Sequence, residues 1–210
     1  MKLILVRHGE TAWNAAKRYQ GTKNPGLNDK GKSQARAVAG ELKDEKIDAI
    51  YCSPQRRARE TLEEIIKFHP HIEPVFLDNL AEINYGGFEG LTRDETIEKY
   101  GNYMPERKRQ GINFRYPLGE TVAELLERMK IIFEMLKKKH FGQTVLIVGH
   151  SNANKAMLHH IVDFPQEDFY DFYHPHDLIY IVDLKEEKPK VKHRIVGKKD
   201  GEGMVKLKWK

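Results

Sequence analysis

One cysteine in 210 residues leaves Cys52 with no partner inside the chain. That excludes an internal disulfide framework and fits a reducing cytoplasm. Tyr51 and Ser53 around it suggest the end of a strand, so Cys52 is expected as a buried, inert thiol. No apolar run approaches the roughly 20 residues of a membrane span. The N-terminus, with one Lys and a short apolar run before Arg7, does not look like a secretory signal. We therefore expect a cytoplasmic protein with no membrane partner. Internal repeats, low-complexity linkers and a convincing domain boundary are all missing, so residues 1–210 are read as a single domain. Neither sign of charge dominates, with 36 Lys and Arg against 31 Asp and Glu. The basic C-terminal stretch carries no recognisable nucleic-acid motif, and nucleic acid is not expected as a partner. A small anionic ligand, by contrast, suits the net charge of +5.

What is present alternates between two periodicities. Leu3–Val6, Ile47–Cys52, Pro74–Leu77, Thr144–Val148 and Leu178–Leu184 read as strands. Between them Ala35, Val38, Ala39 and Leu42 recur at helical spacing, as do Ala58, Leu62, Ile65 and Ile66. Ser53–Pro54 suits a cap and first turn for that second helix. Thr121 with Glu124 is a capping-box signature ahead of a long amphipathic helix, and Asn152–Ile161 is a further helical stretch. Strands alternating with helices predict an α/β three-layer sandwich, with a mainly parallel central sheet flanked by helices. Residues 78–120 are irregular, with one helical pattern at Asp94–Tyr100, and such a segment reads as a small cap or lid. The tail, about 190–210, reads as a hairpin with arms at Val191–Val196 and Val205–Trp209. An exposed tail strand leaves a homodimer open.

Two strands end in histidine: Arg7–His8–Gly9–Glu10 follows the first, and Gly149–His150–Ser151 the Thr144–Val148 strand. Open α/β sheets hold ligands beyond the carboxyl ends of their strands. If the two strands are parallel neighbours, both imidazoles emerge on one edge, with Arg56 and Arg57 just past the end of a third strand. Guanidinium groups bind phosphate through forked, charge-assisted hydrogen bonds, and an unprotonated imidazole nitrogen can attack phosphorus. A metal site is the rival reading. The histidines adjoin arginines rather than carboxylates, however, and cations would repel a divalent ion, so no metal is expected. His174–Pro175–His176–Asp177 is expected as a solvent-facing turn.

Leu5–Val6–Arg7–His8–Gly9–Glu10–Thr11, followed by Trp13–Asn14, resembles the signature of the histidine phosphatase superfamily, also called phosphoglycerate mutase-like. The resemblance continues in order through Arg18–Tyr19–Gln20–Gly21, Ser53–Pro54 with Arg57–Ala58 and Thr61, Glu82 with Gly86, Glu89 and Gly90, and Val148–Gly149–His150. It implies that His8 is the nucleophile, that Arg7, Arg57 and His150 form the phosphate pocket, and that Glu82 is the proton donor. Asn14, Gln20, Gly21, Tyr85 and Ser151 are the further substrate-binding candidates, and Arg56 is expected to face solvent. The family uses no metal and no nucleotide, so no cofactor is expected. One departure is the second histidine motif, usually His–Gly and often ending in arginine, which here reads His150–Ser151–Asn152–Ala153–Asn154–Lys155.

The implied activity is metal-independent hydrolysis of a small phosphorylated metabolite. Cofactor-dependent phosphoglycerate mutases share the core but carry an arginine directly after the acid-motif glutamate, where this chain has Ile83. Tyr85 does match a mutase tyrosine, and Arg107–Lys108–Arg109 could imitate the mutase's basic segment. A phosphatase is the favoured expectation, ahead of a mutase and of an inactive phospholigand-binding module.

Overall fold

A computed structural model describes residues 1–185 and 189–206. Seven strands form one sheet: β1 (Lys2–Arg7), β2 (Ala49–Cys52), β3 (Val75–Phe76), β4 (Thr144–Gly149), β5 (Leu178–Asp183), β6 (Lys190–Ile195) and β7 (Gly201–Glu202). Their order is β3-β2-β4-β1-β5-β6-β7. The first four in that order run parallel, while β5, β6 and β7 each pair antiparallel with the strand before them. The sheet is therefore mixed, and parallel only on the side that carries the histidine-bearing strands.

Alternation along the central strands explains the layers. Leu3, Leu5, Val145 and Ile147 point to one face, where they pack with Leu125, Met129 and Phe133 of α6 (Val122–Lys139) and Met157 of α7 (Ser151–Val162). Ile4, Val6, Leu146 and Val148 point to the other face. There they meet Val38 and Leu42 of α2 (Asp29–Leu42), which follows the single-turn α1 (Ala12–Ala15), and Ala58, Leu62 and Ile65 of α3 (Arg56–Ile66). Cys52 is fully buried in this second layer, and burial pushes its thiol up. No described helix is long and apolar enough to cross a membrane.

Two local expectations are corrected. Ser53 does not cap the second helix, which starts at Arg56 with Gln55 as its cap residue. In the tail, the partner of β6 is Gly201–Glu202, in the stretch expected to be the turn. Part of the expected second arm, residues 207–210, lies outside the described residues.

The cap over residues 78–120 holds more regular structure than the sequence suggests. It contains α4 (Arg93–Tyr100), α5 (Met104–Gln110) and three short 3-10 turns. A mutually packed aromatic cluster fixes it: Phe88 lies 4.7 Å from Tyr103, and Tyr85 lies 4.8 Å from Tyr116, centroid to centroid.

Candidate active site

Sheet register builds the site. Arg7 is paired with Gly149, so His8 and His150 leave adjacent parallel strands at the same level, and their rings stand 5.1 Å apart. Cys52 pairs with Val148, which brings Ser53 alongside His150. Gly9 packs against Gly31 at the start of α2, and a side chain on either would strike the opposing backbone.

His8 is buried, and its ring is fixed at both nitrogens. Nδ1–H donates to the Gly9 carbonyl at 2.7 Å, because a carbonyl can only accept. Nε2 therefore carries the lone pair, and it accepts from Arg57 Nε–H at 3.2 Å. Burial, then the charges of Arg57, His150 and Arg7, hold the imidazole well below its ordinary titration range. His150 is held the same way, by burial and then Arg57 and Arg7. Its Nε2 lies 2.8 Å from Ser53 Oγ, and its buried Nδ1 has no hydrogen-bond partner among the described residues.

Arg57 is fully buried, and among the described residues it has no carboxylate within ion-pair distance. Its remaining donors go to the carbonyls of Lys23 at 2.7 Å and Gly21 at 2.9 Å, and to Gln55 Oε1 at 3.2 Å. Burial pulls its pKa down to about 10, which leaves the guanidinium charged near neutrality. Arg7 donates to the His174 carbonyl at 2.7 Å and to Tyr173 Oη at 3.2 Å, while its buried Nε is unpartnered. Two oriented cations with spare capacity beside two neutral imidazoles make an anion site. Arg56 is exposed, as expected, and pairs with Glu60.

Glu82 sits at the N-terminus of α7. Its carboxylate accepts from the N–H groups of Asn152 and Ala153, both at 3.3 Å, and of Ile83 at 3.0 Å. All ten expected site residues except His150 line one cavity of about 420 Å³. Within it Asn14 Oδ1 accepts the Thr11 N–H, Gln20 Oε1 accepts the Thr11 hydroxyl, and Tyr85 Oη accepts from Asn152. Gly21 takes a positive φ of 52° and turns its carbonyl to Arg57. Ser151, the first residue of α7, lines the wall.

His174–Asp177 is not the solvent-facing turn expected. His174 is fully buried, donating from Nε2 to the Leu178 carbonyl at 2.9 Å. His176 donates from Nδ1 to the His8 carbonyl at 2.6 Å, with its ring 5.4 Å from that of His8. Gln55, which no sequence motif marks, joins Arg57 to the Glu82 N–H and the Gly21 carbonyl. Its place two residues before Arg57 was the only sign available. Among the described residues no group of three or more His, Cys, Asp or Glu could hold a metal ion.

An α/β sheet that brings two buried imidazoles and two oriented guanidiniums to one strand edge, under a cap that supplies a carboxylate, defines a phosphoryl-binding enzyme core. The sequence profile of the histidine phosphatase superfamily (branch 1) matches residues 3–196. The chain belongs to that superfamily and is a phosphatase of it. It is 35% identical over 172 residues to phosphoserine phosphatase 1 of Hydrogenobacter thermophilus, covering 82% of this chain and 81% of that protein. It is 32% identical over 162 residues to a 2,3-bisphosphoglycerate-dependent phosphoglycerate mutase of Bartonella henselae, covering 74% and 79%. Among solved structures, the α-ribazole phosphatase of Shigella flexneri superposes with a TM-score of 0.84 at 21% identity, over 94% of this chain and 96% of the other. A phosphoserine phosphatase from Entamoeba histolytica, in complex with 3-phosphoglyceric acid, superposes with a TM-score of 0.76 at 25% identity, over 90% and 94%.

Proposed function

We propose that the chain hydrolyses a small phosphorylated metabolite, without a metal, through a phosphohistidine on His8. The observation that carries this reading is the fixed tautomer. Gly9 takes the Nδ1 proton, so Nε2 presents its lone pair where Arg7 and Arg57 would hold a phosphoryl group. In the first step Nε2 bonds to phosphorus, the P–O ester bond breaks, and Glu82 gives its proton to the leaving oxygen. In the second, Glu82 takes a proton from water, the water oxygen bonds to phosphorus and the N–P bond breaks. Arg7, Arg57 and His150 stabilise the charge on the equatorial oxygens in both steps.

The acceptor distinguishes hydrolysis from phosphoryl transfer to a second hydroxyl. Ile83, buried and apolar, lines the cavity directly after Glu82, where a mutase carries an arginine. That favours water as acceptor. The test is turnover of an aryl phosphate with a chelator present. Undiminished activity supports the reading, whereas loss that a divalent metal restores would replace it with metal-assisted hydrolysis. Phosphoglycerate isomerisation faster than phosphate release would make the enzyme a mutase.

A further inference from the structure

Lys155 is the one buried lysine lining the cavity, and the mechanism above gives it no part. It lies four residues after Ser151 on α7, so both side chains project from the same helical face. Its Nζ rests 4.5 Å from the Phe169 ring centroid and 3.4 Å from the Phe169 carbonyl. Among the described residues it has no carboxylate within ion-pair distance. Arg107, reaching in from α5, lies 4.2 Å over the ring of the next residue, Tyr170, and its buried Nε is also unpartnered. An ammonium and a guanidinium thus stand on adjacent aromatic rings of one 3-10 turn (Gln166–Asp171), both facing the cavity and neither matched by an acid.

Desolvating cations without a counter-charge is costly, so such a pair is most economically explained by a charge that arrives with the ligand. The phosphoryl group is already provided for by Arg7 and Arg57. We propose that Lys155, with Arg107 beside it, forms a second anion subsite that receives an acidic group, a carboxylate or a second phosphate, carried by the substrate's leaving group. This rests on the phosphatase reading and names the substrate class within it: phosphomonoesters bearing a further acid.

The choice of lysine has a consequence that arginine would not have. Burial pulls the Lys155 amine down to about 7, opposed by Glu82 and reinforced by the charges of Arg107 and Arg7. His174 and, along the cavity wall, Tyr85, Tyr116, Tyr170, Tyr173 and Arg93 stand among its titratable surroundings. Lys155 therefore gains its charge as the pH falls through neutrality, and the subsite strengthens in the same direction.

The experiment compares kcat/KM within matched substrate pairs: 3-phosphoglycerate against glycerol 1-phosphate for a carboxylate, and glucose 1,6-bisphosphate against glucose 6-phosphate for a second phosphate. An aryl phosphate serves as reference. The wild type should prefer the acid-bearing member of at least one pair, and the pair that responds identifies the acid. Lys155→Met should cut that preference ratio by about 10- to 100-fold, mainly through KM. For the carboxylate pair, the wild-type ratio should fall as the pH rises from about 6 to about 9, whereas Lys155→Arg should keep a flat ratio. Equal ratios in wild type and Lys155→Met would overturn the subsite. If Lys155→Met does not fold, a wild-type ratio independent of pH would overturn it equally. Aryl phosphate turnover without any preference sinks the subsite alone, and absence of all phosphomonoester turnover sinks the phosphatase reading beneath it.

Discussion

Arg57 Nε–H points at His8 Nε2 from 3.2 Å, across 49 positions of sequence. With the Gly9 carbonyl on the other side of the ring, it defines which nitrogen is free to attack. In the proposed mechanism Arg57 has two duties, orienting the nucleophile before substrate arrives and binding phosphate afterwards. Its other donors are anchored on the backbone of the Gly21–Lys23 loop, which suits a group meant not to move.

Arg57→Ala should therefore lower kcat by about 10²- to 10³-fold on an aryl phosphate. Arg57→Lys should recover little, because one ammonium cannot reach His8, Gly21, Gln55 and Lys23 together. Steady-state kinetics on both variants checks this, and near-full activity in Arg57→Lys would mean that charge alone suffices.

Glu82→Gln separates acid catalysis from binding. The amide keeps one oxygen, which can still accept the N–H groups of Ala153 and Ile83, but it loses the acceptor facing the Asn152 N–H and cannot deliver a proton. An alkyl phosphate, whose alkoxide is a poor leaving group, should lose about 10²- to 10⁴-fold in kcat. A nitrophenyl phosphate, which leaves without protonation, should lose far less. Equal losses on both substrates would deny Glu82 the role of proton donor.

Ser53→Ala removes the hydroxyl beside His150 Nε2 and leaves that nitrogen buried without a partner. A fall of about tenfold in kcat is expected, with little change in KM for an aryl phosphate. Ser53→Thr, which keeps the hydroxyl, should restore most of it if the small extra methyl is accommodated. Activity unchanged in Ser53→Ala would show that His150 needs no anchor.

Acid should destabilise the fold in a defined window. Burial, together with the charge of Arg7, depresses His8, His150, His174 and His176, the last two to about 3. Above an ordinary histidine pKa of about 6.5 both states are neutral at these positions and the full stability is present. As the pH falls below that value the unfolded chain binds protons that the folded chain refuses, so stability declines toward the folded-state values. Thermal melts should show a lower Tm at about pH 5 than at about pH 7.5, and inorganic phosphate should recover part of the loss. A flat Tm over that range would contradict the neutral state of the four rings.

Two of these four histidines were legible in the sequence and two were not. His8 and His150 stand at strand ends, where the position of a side chain follows from the direction of the chain, and register then sets them side by side. His174 and His176 stand in an irregular turn with no periodicity to say which way they face. His174 is buried and His176 half-buried because the turn folds under Arg7, and both donate to backbone carbonyls that sequence pattern cannot locate. The cap was hidden for a related reason. Its core is a set of aromatic pairs such as Phe88–Tyr103, whose spacing fits neither helical nor strand repeats. The antiparallel half of the sheet also went unread, since strand direction depends on connections and not on composition. A Ser–Pro pair usually marks a helix cap, but the Ser53 hydroxyl serves His150 instead.

The most direct measurement is rapid quenching of the enzyme with an aryl phosphate into alkali, followed by peptide mapping by mass spectrometry. The account predicts an alkali-stable, acid-labile phosphate on His8 that forms in a burst and is absent from His8→Ala. No phosphoenzyme under single-turnover conditions, or phosphate on another residue, would contradict it.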